Sequence, residues 1–127
     1  MASSLLIIDI DNLKSVNDTH GHYVGDQILI KLIKALSDNI RMSDTLYRYG
    51  GEVFVIIAEN MDLPVVNVLA EKLRKVIKNS TIHQDIEVTI SVGVAQLESG
   101  ETKQQYVRRA DQCLLQAKRD GQNQTCM

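Results

Sequence analysis

Residues 47–57 read Tyr47-Arg48-Tyr49-Gly50-Gly51-Glu52-Val53-Phe54-Val55-Ile56-Ile57, an order that favours a β-hairpin. Tyr47 and Tyr49 are strand formers, Gly50-Gly51 is a strong turn signal, and residues 54–57 form a buried β-type run. Glu52 is the odd residue, because a hairpin tip needs no acid for its own sake. Alone it reads as a solvated turn glutamate. Its standing changes beside the first acidic cluster of the chain, Asp9-Ile10-Asp11.

That cluster follows a short apolar run at residues 4–8, suited to a strand buried on both faces. Asp11 is well placed to cap a helix beginning at Asn12. Asp9 has no such plain role, since a carboxylate at the end of a buried strand is costly unless paired or metal-bound. Residues 18–26 read as a polar, glycine-punctuated loop. Its His20 and His22 invite a zinc reading, but no third soft ligand is near and zinc sites want three or four.

Past that loop, Gly25 or Asp26 starts a helix whose apolar face is Ile28, Leu29, Leu32, Ile33, Leu36 and Ile40, with Asp26 in the dipole-favoured first turn. A second long helix opens at Asp62-Leu63-Pro64, with Val65, Val68, Leu69, Leu73, Val76 and Ile77 as its inner stripe. Residues 86–95 alternate as a strand, and residues 81–83 are placed to pair with it. A third long helix starts at Glu101-Thr102, turns Tyr106, Ala110, Cys113, Leu114 and Ala117 inward, and stops at Gly121. Residues 122–127 can add an edge strand. The order is strand, helix, helix, hairpin, helix, strand, helix. It predicts an α+β fold with helices packed on a central, mainly antiparallel sheet.

The 127 residues suit a single domain over 1–127, and the apolar fraction of 44% is enough for one core. The start, Met1-Ala2-Ser3, reads as added to an excised piece, which points to a larger regulatory parent protein with a sensor or membrane region upstream. A net charge of −2 argues against a global basic field, so DNA and RNA are not expected as partners and any phosphate site must be local. Cys113 and Cys126 have neither metal-binding nor redox spacing, and a reducing cytoplasmic setting is expected. No apolar run reaches membrane-spanning length, so this stretch is expected to make no membrane contact.

If the first strand and the hairpin lie side by side, Asp9 and the Ile10 carbonyl face Glu52 across the pair. Two carboxylates and a backbone oxygen suit Mg²⁺ or Mn²⁺, with substrate phosphates completing the shell. Lys14 and Lys118 can reach phosphate, and Asn17 and Asp26 can read a base edge. Each of these residues also has a plain surface role. Their joint occurrence is what favours a site.

The runs Asp9-x-Asp11-x-x-Lys14-x-x-Asn17-Asp18-x-x-Gly21-His22-x-x-Gly25-Asp26, Arg48-x-Gly50-Gly51-Glu52-x-Phe54, Ser91-x-Gly93-x-Ala95, Ala110-Asp111 and Ala117-Lys118 together resemble the GGDEF domain of bacterial diguanylate cyclases. The resemblance covers nearly the whole chain, in order. It implies a ferredoxin-like fold similar to the palm of nucleotide cyclases. It also implies a homodimer of GTP-loaded domains, in which each 3′-hydroxyl attacks the α-phosphate of the opposite GTP to give cyclic di-GMP and pyrophosphate. Mg²⁺ would sit on Asp9, the Ile10 carbonyl and Glu52, guanine on Asn17 and Asp26, and triphosphate on Lys14 and Lys118. Gly50 and Gly51 would let the hairpin backbone approach the nucleotide.

Two departures stand out. Val53 replaces the second of the family's two adjacent acids, and Gln122 stands where a phosphate-binding arginine is usual. Both weaken turnover more than binding. Arg41-Met42-Ser43-Asp44 matches the family's R-x-x-D inhibitory site for cyclic di-GMP, with Lys72 near a second basic position; the plain alternative is a local Arg41–Asp44 pair. Two functions follow as expectations: a weakened diguanylate cyclase, or an inactive module that binds GTP or cyclic di-GMP and signals to a partner domain.

Overall fold

The computed structural model describes residues 2–80, 82–83 and 86–127. Its elements are β1 (Ser3–Ile10), α1 (Leu13–His20), α2 (His22–Ser37), β2 (Thr45–Gly50), β3 (Val53–Glu59), α3 (Leu63–Asn79), β4 (Ile90–Gln96), α4 (Lys103–Arg119) and β5 (Thr125–Cys126). They form one sheet in the order β2-β3-β1-β4-β5, antiparallel except for the β4–β5 pair.

β1 lies at the centre because both of its faces are apolar. Leu6, Ile8 and Ile10 turn to one side and join residues of α2 and α3, among them Ile28, Leu32, Val66 and Leu73. Leu5 and Ile7 turn to the other, where Tyr106, Ala110 and Leu114 of α4 cover them together with Val55 and Ala95. An unbroken apolar run is what a strand between two helical layers requires. The expected α+β fold and element order are both present.

Four local expectations are corrected. Residues 18–26 are not a loop: α1 runs to His20, Gly21 alone turns the chain at φ 90°, and α2 begins at His22. Asp26 therefore lies in the second turn of α2, outside the first-turn dipole position. The buried residues of α3 are Val66, Ala70, Leu73 and Ile77, whereas Val65 and Val68 are 51% and 69% exposed. A run so rich in valine leaves the phase of an apolar stripe ambiguous by one position. In the hairpin, Arg48 pairs with Phe54 and Gly50 with Val53, so Tyr49 is a bulged residue and Gly51-Glu52, not Gly50-Gly51, is the turn. Finally, the strand expected over 86–95 is regular only from Ile90 to Gln96, with Ile86 in an isolated bridge to His83; Thr81 lies outside the described residues.

The helix ends follow their local chemistry. Asp62 accepts from the Val65 N–H at the start of α3, with Pro64 just inside. Thr102 and Gln105 exchange bonds in a capping box at the start of α4.

Candidate functional site

Asp9 continues the face of β1 that α4 covers. Its register partners are Val53 on β3 and Ser91 on β4, so the three side chains form a row across the sheet. The expectation that Glu52 faces Asp9 across the pair is thereby corrected: Val53 occupies that position, and Glu52 sits one residue earlier in the turn. Glu52 still lies near enough for its charge to act on Asp9. Burial pushes the Asp9 carboxyl above the ordinary carboxylate range; Lys118 opposes that push, and Glu52 adds to it.

Lys118 projects from the last turn of α4 into this cluster. Its ammonium lies 3.4 Å from Asp9 Oδ2, 3.0 Å from Asp11 Oδ1 and 3.2 Å from the Ile10 carbonyl oxygen. Asp9 Oδ1 is buried with no hydrogen-bond partner. The Asp9 carboxylate, with one oxygen unpartnered, the Ile10 carbonyl and Asp11, all gathered at the Lys118 ammonium, make a hard-oxygen donor set. It suits a partial shell for Mg²⁺ or Mn²⁺, the remaining positions falling to water or phosphate. Among the described residues no group of three or more His, Cys, Asp or Glu side chains is arranged to hold a metal alone. His20 and His22 are exposed.

Asp11 does not cap α1. Asn12 takes the cap position with φ 61° and makes no side-chain cap bond. The Asp11 carboxylate, 1% exposed, accepts from Thr89 Oγ1 at 2.7 Å, Ser91 Oγ at 2.6 Å, the Asn123 N–H at 2.9 Å and Lys118. Burial alone would raise its pKa; the bonds from Ser91, Thr89, Lys118 and Asn123 outweigh that and lower it. Thr89, Ser91 and Asn123 are thus site-supporting residues that sequence reasoning missed. The available signal was Ser91, a hydroxyl in the middle of an apolar strand.

Asn17 and Asp26, the two residues expected to read a base edge, flank the α1–α2 turn. Asn17 leans on Gly25, whose missing side chain makes room: a Cβ there would lie 1.9 Å from Asn17 Oδ1. Asn17 Oδ1 is buried and without a partner, and Asp26 next to Gly25 is exposed. Lys14 is exposed and pairs with no acid among the described residues. A Cβ added at Gly50 or Gly51 would meet nothing within 4 Å, so the hairpin backbone stands open to approach.

At the second cluster, Arg41 grips Asp44 with Nη2–Oδ1 at 2.7 Å and Nε–Oδ1 at 3.1 Å, and donates to the Glu59 carbonyl at 2.8 Å. The Asp44 side chain is fully buried, whereas Arg41 is about half exposed. Lys72 Nζ lies 3.5 Å from the Asn39 carbonyl oxygen, which brings it to the same corner.

A mainly antiparallel sheet between helical layers, with Asp9 and Asp11 at the end of its central strand beside a glycine hairpin, is an α+β palm-like fold. The family model described as "Diguanylate cyclase, GGDEF domain" matches residues 2–124, and the chain belongs to that family. It is 38% identical to diguanylate cyclase A of Treponema denticola, covering 98% of this chain and 34% of that protein. It is 37% identical to diguanylate cyclase DosC of Escherichia coli, covering 94% and 27%. The chain thus spans between about a quarter and a third of the length of these curated relatives. Among solved structures, the active GGEEF domain of a diguanylate cyclase from Vibrio cholerae superposes with TM-score 0.93 at 34% identity, over 99% of this chain and 82% of that one. The GGDEF domain of DgcB from Caulobacter crescentus, solved in complex with c-di-GMP, gives TM-score 0.91 at 30% identity, over 98% and 77%. No helix among the described residues is long and apolar enough to cross a membrane.

Proposed function

We propose that this domain binds GTP with a divalent cation and carries diguanylate cyclase chemistry at a reduced rate. The observation behind this reading is the orphaned Oδ1 of Asp9, a carboxylate that shares the Lys118 ammonium with the Ile10 carbonyl and lies within the field of Glu52. Those three would hold Mg²⁺ or Mn²⁺, which when bound would supply charge neutralisation at the phosphates and favour ionisation of the attacking hydroxyl.

The chain's own residues divide the remaining work. Asn17, with its unused oxygen, and the exposed Asp26 orient guanine by accepting and donating at its edge. Lys14 and Lys118 offset phosphate charge; Lys118 gives up contacts with Asp11 and Ile10 to do so. Two domains face each other so that each 3′-hydroxyl attacks the opposite α-phosphorus. One P–O bond forms, the bond to pyrophosphate breaks, and the proton leaves with solvent. Positioning supplies most of the acceleration in such a step.

A second reading is a nucleotide-binding module without turnover. It is favoured by Val53 standing beside Asp9 where an acid would complete the donor set. Recognition of cyclic di-GMP at Arg41, Asp44 and Lys72 belongs to this reading and requires Arg41 to exchange Asp44 or Glu59 for the ligand. The deciding experiment incubates the domain at high concentration with GTP and Mg²⁺ or Mn²⁺ and measures cyclic di-GMP, alongside calorimetry with GTP and with cyclic di-GMP. Product formation that is lost in Asp9→Asn supports the cyclase. Tight nucleotide binding with no product, even from an artificially dimerised form, supports the module.

A further inference from the structure

Cys113 and Cys126 are thirteen positions apart with no redox spacing, yet the fold brings them together. Cys126 on β5 is the register partner of Gly93 on β4 and shares the sheet face that α4 covers. Gly93 has no side chain because α4 presses on it. A Cβ there would lie 2.2 Å from the Ala110 carbonyl oxygen, 2.5 Å from the Leu114 nitrogen and 3.1 Å from the Cys113 carbonyl carbon. Cys113 therefore sits over Gly93, and Cys126 sits one strand spacing aside, ~4.8 Å. The two side chains are close enough for a thiol–thiol hydrogen bond, which is the proximity that disulfide formation needs. Both residues are half-buried, both are free thiols, and both line one groove of about 600 Å³. Burial and the neighbouring Cys126 push the Cys113 thiol up to about 12, which keeps it protonated until it is deprotonated in the exchange itself.

We propose that Cys113 and Cys126 form a dithiol site that a low-molecular-weight disulfide oxidises to a reversible internal disulfide. The Cys126 thiolate attacks one sulfur of the small disulfide, forming a mixed disulfide and releasing one small thiol. Cys113 then loses its proton and attacks the Cys126 sulfur, releasing the second small thiol. The two cysteines are oxidised by two electrons and the small disulfide is reduced by two. The groove gives a small disulfide access to the pair.

The bond would act beyond its own position. Residues 120–126 form a strap from α4 to β5, and the strap's Asn123 N–H donates to Asp11 at the base of the acid cluster. Arg74 of α3 holds the same Asn123 through its side-chain and carbonyl oxygens. Closing Cys113 to Cys126 pins the far end of that strap and removes loop-closure entropy from the unfolded chain.

The test treats the native domain with oxidised glutathione and reads intact mass, thermal unfolding and amide exchange. Expected is a mass lower by two hydrogens with no glutathione retained, reversed by dithiothreitol. The oxidised form should have a Tm higher by ~5 °C, and its Asn123 amide should exchange at least tenfold more slowly. Cys113→Ser should instead keep a glutathione adduct on Cys126, and Cys126→Ser should show no internal bond. Wild-type protein that carries only glutathione adducts, or that forms only intermolecular dimers, overturns the proposal. An internal disulfide that leaves both Tm and Asn123 exchange unchanged overturns the strap's part in it.

Discussion

Val53 stands directly opposite Asp9 across the β1–β3 pair, with their side chains on the sheet face that α4 covers. Cβ atoms at such positions lie ~4.5–5.5 Å apart. A carboxylate at residue 53 would thus extend the donor set of Asp9, and valine ends it there. Val53→Glu is expected to raise cyclic di-GMP formation by about 10²–10³. It should also raise Mn²⁺ binding in the presence of a non-hydrolysable GTP analogue. An unchanged rate together with unchanged metal binding would show that this position is not what limits the site.

Asp11 gathers four donors while almost fully buried. Asp11→Ala leaves the Ser91 and Thr89 hydroxyls, the Asn123 N–H and the Lys118 ammonium without their shared acceptor. The expected loss is about 3 kcal/mol of stability, measured by urea unfolding. A cost below ~1 kcal/mol would mean that water replaces the carboxylate with little penalty.

The fit of Asn17 over Gly25 separates stability from recognition. Gly25→Ala places a methyl 1.9 Å from Asn17 Oδ1, so the amide has to swing away. Nucleotide affinity should fall about tenfold or more, against a stability loss of ~1–2 kcal/mol. The double variant with Asn17→Ala should recover the stability and not the affinity. Calorimetry with GTP beside thermal unfolding distinguishes the two effects.

Glu71 couples α3 to β5. Its Oε2 accepts from Arg74 Nε at 2.6 Å and from Thr125 Oγ1 at 3.1 Å. Arg74's bond lowers its pKa, burial opposes that, and Thr125 lowers it further. A depressed folded pKa means the contribution is present above the unfolded value of ~4.3 and is lost as pH falls through the folded value. The pair is partly exposed, so solvent screening limits the effect to ~1 kcal/mol. Glu71→Gln should be less stable at pH 7 by about that much. The gap should close as the pH drops below 4; a gap constant from pH 7 to 3 would contradict the assignment.

How far the sequence alone could be read follows from the range of the forces involved. The apolar run at 5–8, the stripe of α2, the Asp62-Pro64 start of α3 and the glycine hairpin are short-range signals of propensity and periodicity. They specified the element order and the α+β class without any distant residue. They also carried Asn17 and Asp26 as candidates within one stretch, whereas Asp9 and Glu52 were joined only by supposing that the first strand and the hairpin lie side by side.

Tertiary structure decided what depends on residues far apart in the chain. Strand register turned Val53 rather than Glu52 toward Asp9, since a slip of one residue reverses every side chain. Asp11 became a buried anchor instead of a helix cap because Thr89, Ser91 and Asn123 arrive from about 80 to 112 positions away. Cys126 came beside Cys113 only because a two-residue parallel strand docks on β4 over a glycine. Long-range pairing is selected by the burial and hydrogen bonding of the whole sheet, and no local window contains that information.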